Sequence, residues 1–300
     1  MEAQLNASNG GWMSWVGNKS TTWFILPCIL VLLITSVYPV VFGVVVSMTN
    51  WNWGNQMDFV GLRNYTDLLQ DHEFWTVIRN TFVFAIGATT CEVVLGFYLA
   101  TQVDKLHIRT DIIRAVLLMP LMVSGIVVAL MSKVMFDPFL GIVNHLIGLF
   151  GFGPSAFYGA ADTAMASIIA VDVWWQTGFV FIIMLAGLRG LPKDPIEAAQ
   201  VEGASNFTIF WRIRFPMLRS LLITVLIIRI IDTLKIFDIV FGTTGGGPGL
   251  ATEVVQTYVY RSAFSYQQIG KAMAIMIIFS LVILVISIAL QSLQAREDRA

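Results

Sequence analysis

Asp194-Pro195-Ile196-Glu197-Ala198-Ala199-Gln200-Val201-Glu202-Gly203, running on to Ile213-Arg214-Phe215-Pro216, is a charged, helix-forming insert set between two long apolar stretches. A chain that only has to turn around between two apolar helices needs a few polar residues. This insert is about thirty residues long, between the span ends derived below, and reads as ordered structure. Asp194 is placed to cap a helix, Pro195 suits its first position, and Glu197 stands three residues after the cap, a capping-box start with negative charge where the helix dipole favours it. Ala198 and Ala199 form helix without bulk, so another surface can approach closely. Gly203 can end the helix in a left-handed conformation. Ser205 or Asn206 then caps a second short helix through Phe207, Ile209, Phe210, Trp211 and Ile213, with Pro216 separating it from the next apolar stretch. Burying two of its large apolar side chains in a partner contributes roughly 3–6 kcal/mol before costs. The alternative is a helix resting on lipid, whose polar stripe is usually basic; Glu197 and Glu202 fit that poorly.

The flanking sequence sets the class. Of 300 residues 57% are hydrophobic and 12% charged, with mean hydropathy +0.76; soluble domains run nearer about a quarter charged. Six apolar segments, roughly 22–48, 77–103, 111–136, 164–189, 219–241 and 271–294, are long enough to cross ~30 Å of hydrocarbon. The expected fold is an all-α polytopic membrane protein with six transmembrane helices. Residues 1–21 form an N-terminal segment, 22–295 the six-span domain with the insert at about 190–218, and 296–300 a tail.

An even number of spans puts both termini on one side, and Lys and Arg set which side. Lys19, Lys105, Arg109, Arg114, Arg189, Lys193, Arg212, Arg214, Arg219, Arg296 and Arg299 share the side of the termini, whereas the other side holds only Arg63, Arg79, Arg261 and Lys271, with Lys133, Arg229 and Lys235 inside spans. The termini and the insert are therefore expected in the cytoplasm. Trp12, Trp15, Trp23, Trp51 and Trp53 suit interface belts, and segment 1–20 reads as lying on the membrane surface. The net charge of −1 gives no reason to expect nucleic acid. Cys28 and Cys91, both in apolar runs, read as small core residues.

With this class in place, the insert shows a resemblance. Glu197-Ala198-Ala199, Gly203, Ile213 and Pro216 match, spacing included, the EAA loop of ABC importer permeases. Glu202 stands where that family usually has Asp, and Phe215 where it often has Leu. Phe59-Val60-Gly61-Leu62-Arg63-Asn64-Tyr65, with Phe74-Trp75 and Asn80-Thr81, resembles the first outer loop of carbohydrate-uptake permeases. Gly245-Gly246-Gly247-Pro248-Gly249, then Thr252, Tyr258, Tyr260, Ala263 and Phe264, resembles the segment before their last span, and Leu185-Ala186-Gly187-Leu188 with Pro192 also fits. Over about residues 22–295 the chain is similar to the maltose- and lactose-type inner-membrane permeases.

The resemblance implies a permease subunit of an ATP-driven carbohydrate importer in a bacterial cytoplasmic membrane, with partners that supply what it lacks. These are a second homologous permease subunit, two ATP-binding cassette subunits carrying ATP and magnesium, and an extracytoplasmic solute-binding protein. Glu197, Ala198, Ala199, Glu202, Gly203, Ala204, Phe207, Ile213 and Pro216 would form the ATPase-docking coupling helix. Gly245, Gly246, Gly247, Pro248 and Tyr258 would face the binding protein.

Independently of any resemblance, the chain has no phosphate loop: Gly270-Lys271 is followed by Ala272 and lacks the upstream glycine. His72, His107 and His145 show no metal-ligand spacing. No catalytic cluster can be assembled, so no enzyme, cofactor or metal is expected in the chain itself.

Ionisable residues inside spans are costly and face cavities or each other. Arg229, Asp232, Lys235 and Asp238 alternate in sign at steps of three, so each can pair with its neighbour along one helix. They read either as the wall of a translocation pathway or as a self-neutralised packing ladder. Asp172, Trp174, Trp175 and Gln176 place aromatic faces beside polar groups, which suits sugar rings; at most one of the two tryptophans, 100° apart, can face the path. Glu92 and Lys133 stand isolated, to pair with an opposite charge or to face a partner. The rival reading, an ion-coupled secondary transporter with this ladder as relay, has no need of the helical insert; a membrane scaffold would carry no solute.

Overall fold

The structure, a computed structural model, describes residues 19–106 and 110–297, with side chains described for 25–106 and 110–295. Trp12, Trp15, the Trp23 side chain, most of the surface segment, His107, Arg109, residues 298–300 of the tail and the side chains of 296 and 297 lie outside the described residues. The chain folds as a bundle of helices: α1 (Lys19–Leu32), α2 (Tyr38–Ser47), α3 (Arg63–Gln70), α4 (His72–Asp104), α5 (Thr110–Leu118), α6 (Gly125–Met135), α7 (Ile142–Leu149), α8 (Ala161–Arg189), α9 (Asp194–Val201), α10 (Asn206–Ile209), α11 (Phe215–Met217), α12 (Arg219–Leu234), α13 (Asp238–Thr243), α14 (Val255–Tyr260) and α15 (Ile269–Glu297). A π-helical turn, Leu33–Val37, joins α1 to α2. Among the described residues there is no strand, only two isolated bridges, Thr49 with Phe59 and Asn52 with Gln268.

Four helices are long and apolar enough to cross a membrane, among the described residues: Ile25–Ser47, His72–Asp104, Ala161–Arg189 and Ile269–Ala295. The other two expected spans, 111–136 and 219–241, are each broken. In the first, Pro120 has no N–H and starts a single 3₁₀ turn, Pro120–Met122, after which Val123 and Ser124 are extended. In the second, α12 stops at Leu234 although neither Pro nor Gly is present. There Lys235 N–H and Ile236 N–H donate to the Asp232 and Thr233 carbonyls at 3.0 and 3.3 Å, and Phe237 leaves helical geometry before α13 begins. The charged ladder is thus not one helix face, because its last two members lie at and beyond the break.

Helix α4 is the axis of the packing, contributing to all three clusters of buried apolar residues. Phe74, Val77 and Ala85 pack with Leu234, Tyr258, Ile275 and Phe279; Phe84 and Ala88 with Val128, Ile168 and Ile239; Val93 and Ala100 with Val180, Met184, Leu185 and Val225. Helices α1, α2 and α15 instead present broad apolar faces outward, among them Leu30, Val40, Val285 and Ile288, as helices bordering lipid do. Cys28 and Cys91 are exposed, not core residues as their apolar surroundings suggested; each lies on an outward face, where apolar residues also belong when the solvent is lipid.

The end opposite α9 is tied by side-chain to main-chain bonds. Asn64 donates to the carbonyls of Ser47 and Thr49 at 2.8 and 2.9 Å, and the Tyr65 and Ser47 hydroxyls share a hydrogen bond of 2.6 Å. Asn80 donates to the Leu250 and Glu253 carbonyls at 2.7 and 3.2 Å. Asp71 caps α4, accepting from the Glu73 N–H at 2.9 Å, and receives Lys271 at 3.1 Å, joining the start of α4 to the start of α15.

Burial opposes ionisation of Asp71, but the Lys271 ammonium and the Glu73 N–H outweigh it and hold the carboxyl below its ordinary value of 3.8. A depressed carboxylate stabilises the fold fully above its unfolded value and loses that contribution as pH falls through the lower, folded value. Asp71→Asn keeps a good cap and removes the charge. We expect it to cost about 1 kcal/mol near neutrality. The melting temperature of the variant, followed in detergent from about pH 5 to about pH 3, should fall less steeply than that of the parent.

Candidate functional site

Two features stand out, an exposed helical insert and a charged cavity. The insert starts one residue earlier than the capping-box reading places it. Lys193 already has helical geometry, so Asp194 lies inside α9 and its side chain makes no cap bond; the Lys193 carbonyl takes the Ile196 and Glu197 N–H groups, both at 2.9 Å. The other end follows the sequence. Gly203 has φ +81, and the Gly203 and Ala204 N–H groups donate to the Gln200 and Ala199 carbonyls at 3.0 and 2.9 Å, a Schellman stop. Ser205 caps α10, its hydroxyl accepting from the Thr208 N–H at 3.2 Å.

Beyond α10 the chain continues through a π-helical turn, Phe210–Arg214, and α11, which contains Pro216; the interruption before α12 falls at Leu218. Pro216 therefore lies within a helical turn rather than separating two helices, since at the start of a turn its missing N–H costs nothing.

The insert is moored on one side only. Ile209 is buried, Phe97 of α4 meets the Phe210 and Phe215 rings at 5.7 and 6.1 Å, and Arg214 bonds Asp104 at 3.2 Å. No described residue covers its other side. Glu197, Ala198, Glu202, Gly203 and Pro216 are exposed, while Ala199, Ala204 and Ile213 are half-buried. Val201 is 89% and Phe207 74% exposed, values that leave both available to a partner.

The cavity, about 260 Å³, opens where α12 unwinds. Asp172, Trp175, Gln176 and Phe179 line it from α8, Arg229, Asp232 and Thr233 from α12, and Lys235, Ile236, Phe237 and Asp238 from the break. Only one of the two tryptophans enters: Trp175 points in and donates Nε1–H to the Val123 carbonyl at 3.0 Å, whereas Trp174 is 57% exposed on the outside. Gly125, at the start of α6, lies against two of the lining residues, Asp238 and Trp175. A Cβ there would stand 2.8 Å from an Asp238 carboxylate oxygen and 2.9 Å from the Trp175 ring, so only glycine allows that approach. Sequence reading missed Gly125, Phe179 and Phe237. A lone glycine after Ser124 and two phenylalanines in apolar runs carry no signal until the break brings them together.

Arg229 does not pair chiefly along its own helix. Its Nε and Nη2 donate to the two carboxylate oxygens of Glu92 at 2.6 and 2.9 Å. A guanidinium nitrogen lies 3.6 Å from Asp172 and another 3.7 Å from Asp232. Glu92, Asp172 and Arg229 are all buried, so one ionic cluster joins α4, α8 and α12. Glu92 finds its opposite charge, while Lys133 is exposed on α6.

The proposed outer face divides. Gly245 is exposed, Gly247 and Pro248 are half-buried, and Gly246 is buried against the Glu253 carboxylate. Tyr258 is a core residue and does not face outward: its ring fills the cluster with Phe74 and Ile275, and its hydroxyl meets Asp71 at 3.4 Å. Glu253 pairs with Arg261. Burial pushes the Glu253 carboxyl above the ordinary carboxylate range, against the pull of that guanidinium. Among the described residues no His, Cys, Asp or Glu set is arranged to hold a metal ion.

Comparison with known proteins agrees with this architecture. Residues 92–299 match the family described as binding-protein-dependent transport system inner membrane component. A probable ABC transporter permease protein of Sinorhizobium fredii is 34% identical over 272 residues, covering 90% of this chain and 88% of the relative. The trehalose/maltose transport system permease protein MalF of Thermococcus litoralis is 35% identical, covering 82% of each chain. A chain of a bacterial alginate ABC transporter, solved in complex with alginate pentasaccharide-bound periplasmic protein, superimposes with TM-score 0.82, covering 95% of this chain and 97% of its own at 21% identity. At that identity the likeness is one of fold.

The ionic cluster generates a test. Arg229→Met strands two buried carboxylates and should cost about 3–5 kcal/mol. Adding Glu92→Leu to Arg229→Met removes the chief stranded charge and should restore most of the folded yield and melting temperature, measured by size-exclusion chromatography and thermal unfolding in detergent.

Proposed function

The chain belongs to the binding-protein-dependent transport system inner membrane components, and from this we propose that it is one membrane-spanning half of an ATP-driven importer for a carbohydrate, whether sugar, oligosaccharide, glycoside or polyol. As a permease it is a pathway subunit rather than an enzyme. The ion-coupled alternative falls with the family assignment. The trehalose/maltose relative supports the substrate class. In our reading the partners are a second homologous permease, two ATP-binding cassette subunits that hold ATP and magnesium, and an extracytoplasmic binding protein; the alginate transporter of the same fold, in complex with its periplasmic protein, supports the last.

The observation that carries the mechanism is connectivity. The exposed insert is spliced directly between α8 and α12, the two helices that line the cavity and meet through Arg229 and Asp172. Displacing the insert therefore moves both cavity walls. In our reading ATP-driven closure of the cassette subunits pulls on Glu197, Ala198, Ala199, Val201, Glu202, Gly203 and Phe207, rocking α8 and α12 between inward- and outward-open states. The domain 22–295 crosses the membrane six times, twice as broken helices, with segments 1–21 and 296–300 and the insert on the cytoplasmic side. Gly245, Gly247 and Pro248 then face the binding protein. Broken helices are tolerated at membrane depth where they line a polar cavity, as Lys235–Phe237 do.

Gly203→Pro cannot adopt the observed φ of +81, and Glu197→Lys reverses charge on the exposed face. Both variants should fold yet lose sugar uptake by tenfold or more, assayed with labelled maltose and trehalose in proteoliposomes, and should retain less ATPase on co-purification. Uptake and co-purification at parental levels in both would rule out the coupling role.

A further inference from the structure

The cavity carries a surplus of negative charge. Asp172, Asp232 and Asp238 line it and Glu92 is buried behind Arg229; against these four carboxylates stand two cations, Arg229 and Lys235. Glu92 takes up the Arg229 fork. Lys235 has no ion-pair partner within 4.0 Å among the described residues. The formal surplus is two negative charges, and one remains even if Asp172 holds a proton.

A second observation points to a ligand. The Asp172 side chain is 2% exposed and lines the cavity, yet one of its carboxylate oxygens has no hydrogen-bond donor. Arg229, at 3.6 Å, is outside hydrogen-bond range. That oxygen is sealed off and turned to Arg229; the other, which also has no hydrogen-bond donor among the described residues, is the acceptor left facing the cavity, and leaving it open is costly unless something passing through fills it.

We propose that this half of the pathway selects against anionic solutes and admits neutral or cationic ones, with Asp232 and Asp238 setting the field and Asp172 accepting a hydrogen bond from a ligand hydroxyl or ammonium group. This rests on the carbohydrate reading above and adds a charge class to it: neutral sugars and amino sugars pass, and uronates and sulfated sugars are excluded. The physical ground is that charge in a cleft with low-dielectric walls is poorly screened, so a modest surplus acts strongly on an ion inside it. The aromatic walls Trp175, Phe179 and Phe237 serve the uncharged faces of a sugar ring and are indifferent to this selection.

The test measures the field with a thiol reporter that does not depend on knowing the substrate. In the assembled importer carrying Cys28→Ser and Cys91→Ser, Ile236→Cys places one thiol in the cavity wall. Its rates of modification by a trimethylammonium-bearing and a sulfonate-bearing methanethiosulfonate are compared with those of free cysteine. The cation-to-anion rate ratio should exceed the free-thiol ratio by roughly ten- to a thousandfold. It should collapse towards that ratio when Asp232→Asn and Asp238→Asn are combined, and rise further in Lys235→Gln. Glucose and glucosamine should slow modification by an uncharged reagent, glucuronate should not, and Asp172→Asn should weaken protection by glucosamine while the importer stays assembled on gel filtration. A ratio equal to that of free cysteine, or protection by glucuronate as strong as that by glucose, overturns the proposal. A high ratio with no protection by any of the sugars sustains the charge assignment and overturns the carbohydrate reading instead.

Discussion

The bonds from Arg229 to Glu92, and its approach to Asp172, hold this molecule in its functional geometry. A guanidinium forked onto one carboxylate and set beside a second, all buried, is expensive to assemble and more expensive to half-dismantle. Its position explains why it persists. It is where α4, the axis of all three apolar clusters, meets the two helices that enclose the cavity. Apolar side chains would hold these helices together as well, but slide past one another more readily. A bidentate fork has one register. One turn beyond it, α12 unwinds and exposes Lys235, Phe237 and Asp238 to the cavity.

The rest of the chain is organised around that point with different degrees of rigidity. At the end opposite α9, amide and carboxylate side chains clamp loops to helix starts: Asn64 on Ser47 and Thr49, Asn80 on Leu250 and Glu253, Asp71 on Lys271. At the other end the insert is fixed by one face, through the Phe97, Phe210 and Phe215 rings and the Arg214–Asp104 pair, while Val201 and Phe207 stay uncovered. An element held on one side, and continuous in sequence with both cavity walls, suits the transmission of displacement from a partner.

Local rules read well wherever the cause is local. Gly203 had to take positive φ because a helix was ending there with a second cap, Ser205, two residues on, and both features are present. The capping box at Asp194 fails for an equally local reason, because Lys193 already has helical geometry. Tyr258 failed for a non-local one: an aromatic in a polar loop looks exposed until α4 and α15 close over it. The alternating charges of Arg229, Asp232, Lys235 and Asp238 all line one cavity. They were wrongly strung along one helix, because neither Pro nor Gly stands near Lys235 to announce the break.

The sequence by itself determined the class of the molecule, its apolar segments, the helical insert with its glycine stop, and the absence of a phosphate loop, since all of these follow from composition, periodicity and backbone preference within a few residues. Tertiary structure alone decided that Glu92 rather than Asp232 is the main partner of Arg229, that Trp175 rather than Trp174 enters the cavity, and that Gly125 makes room for both Trp175 and Asp238. The physical reason is range. Hydrogen-bonded turns and caps act over four or five positions, whereas the energy of a buried charge depends on whichever group lies within a few ångströms, here 137 residues away along the chain.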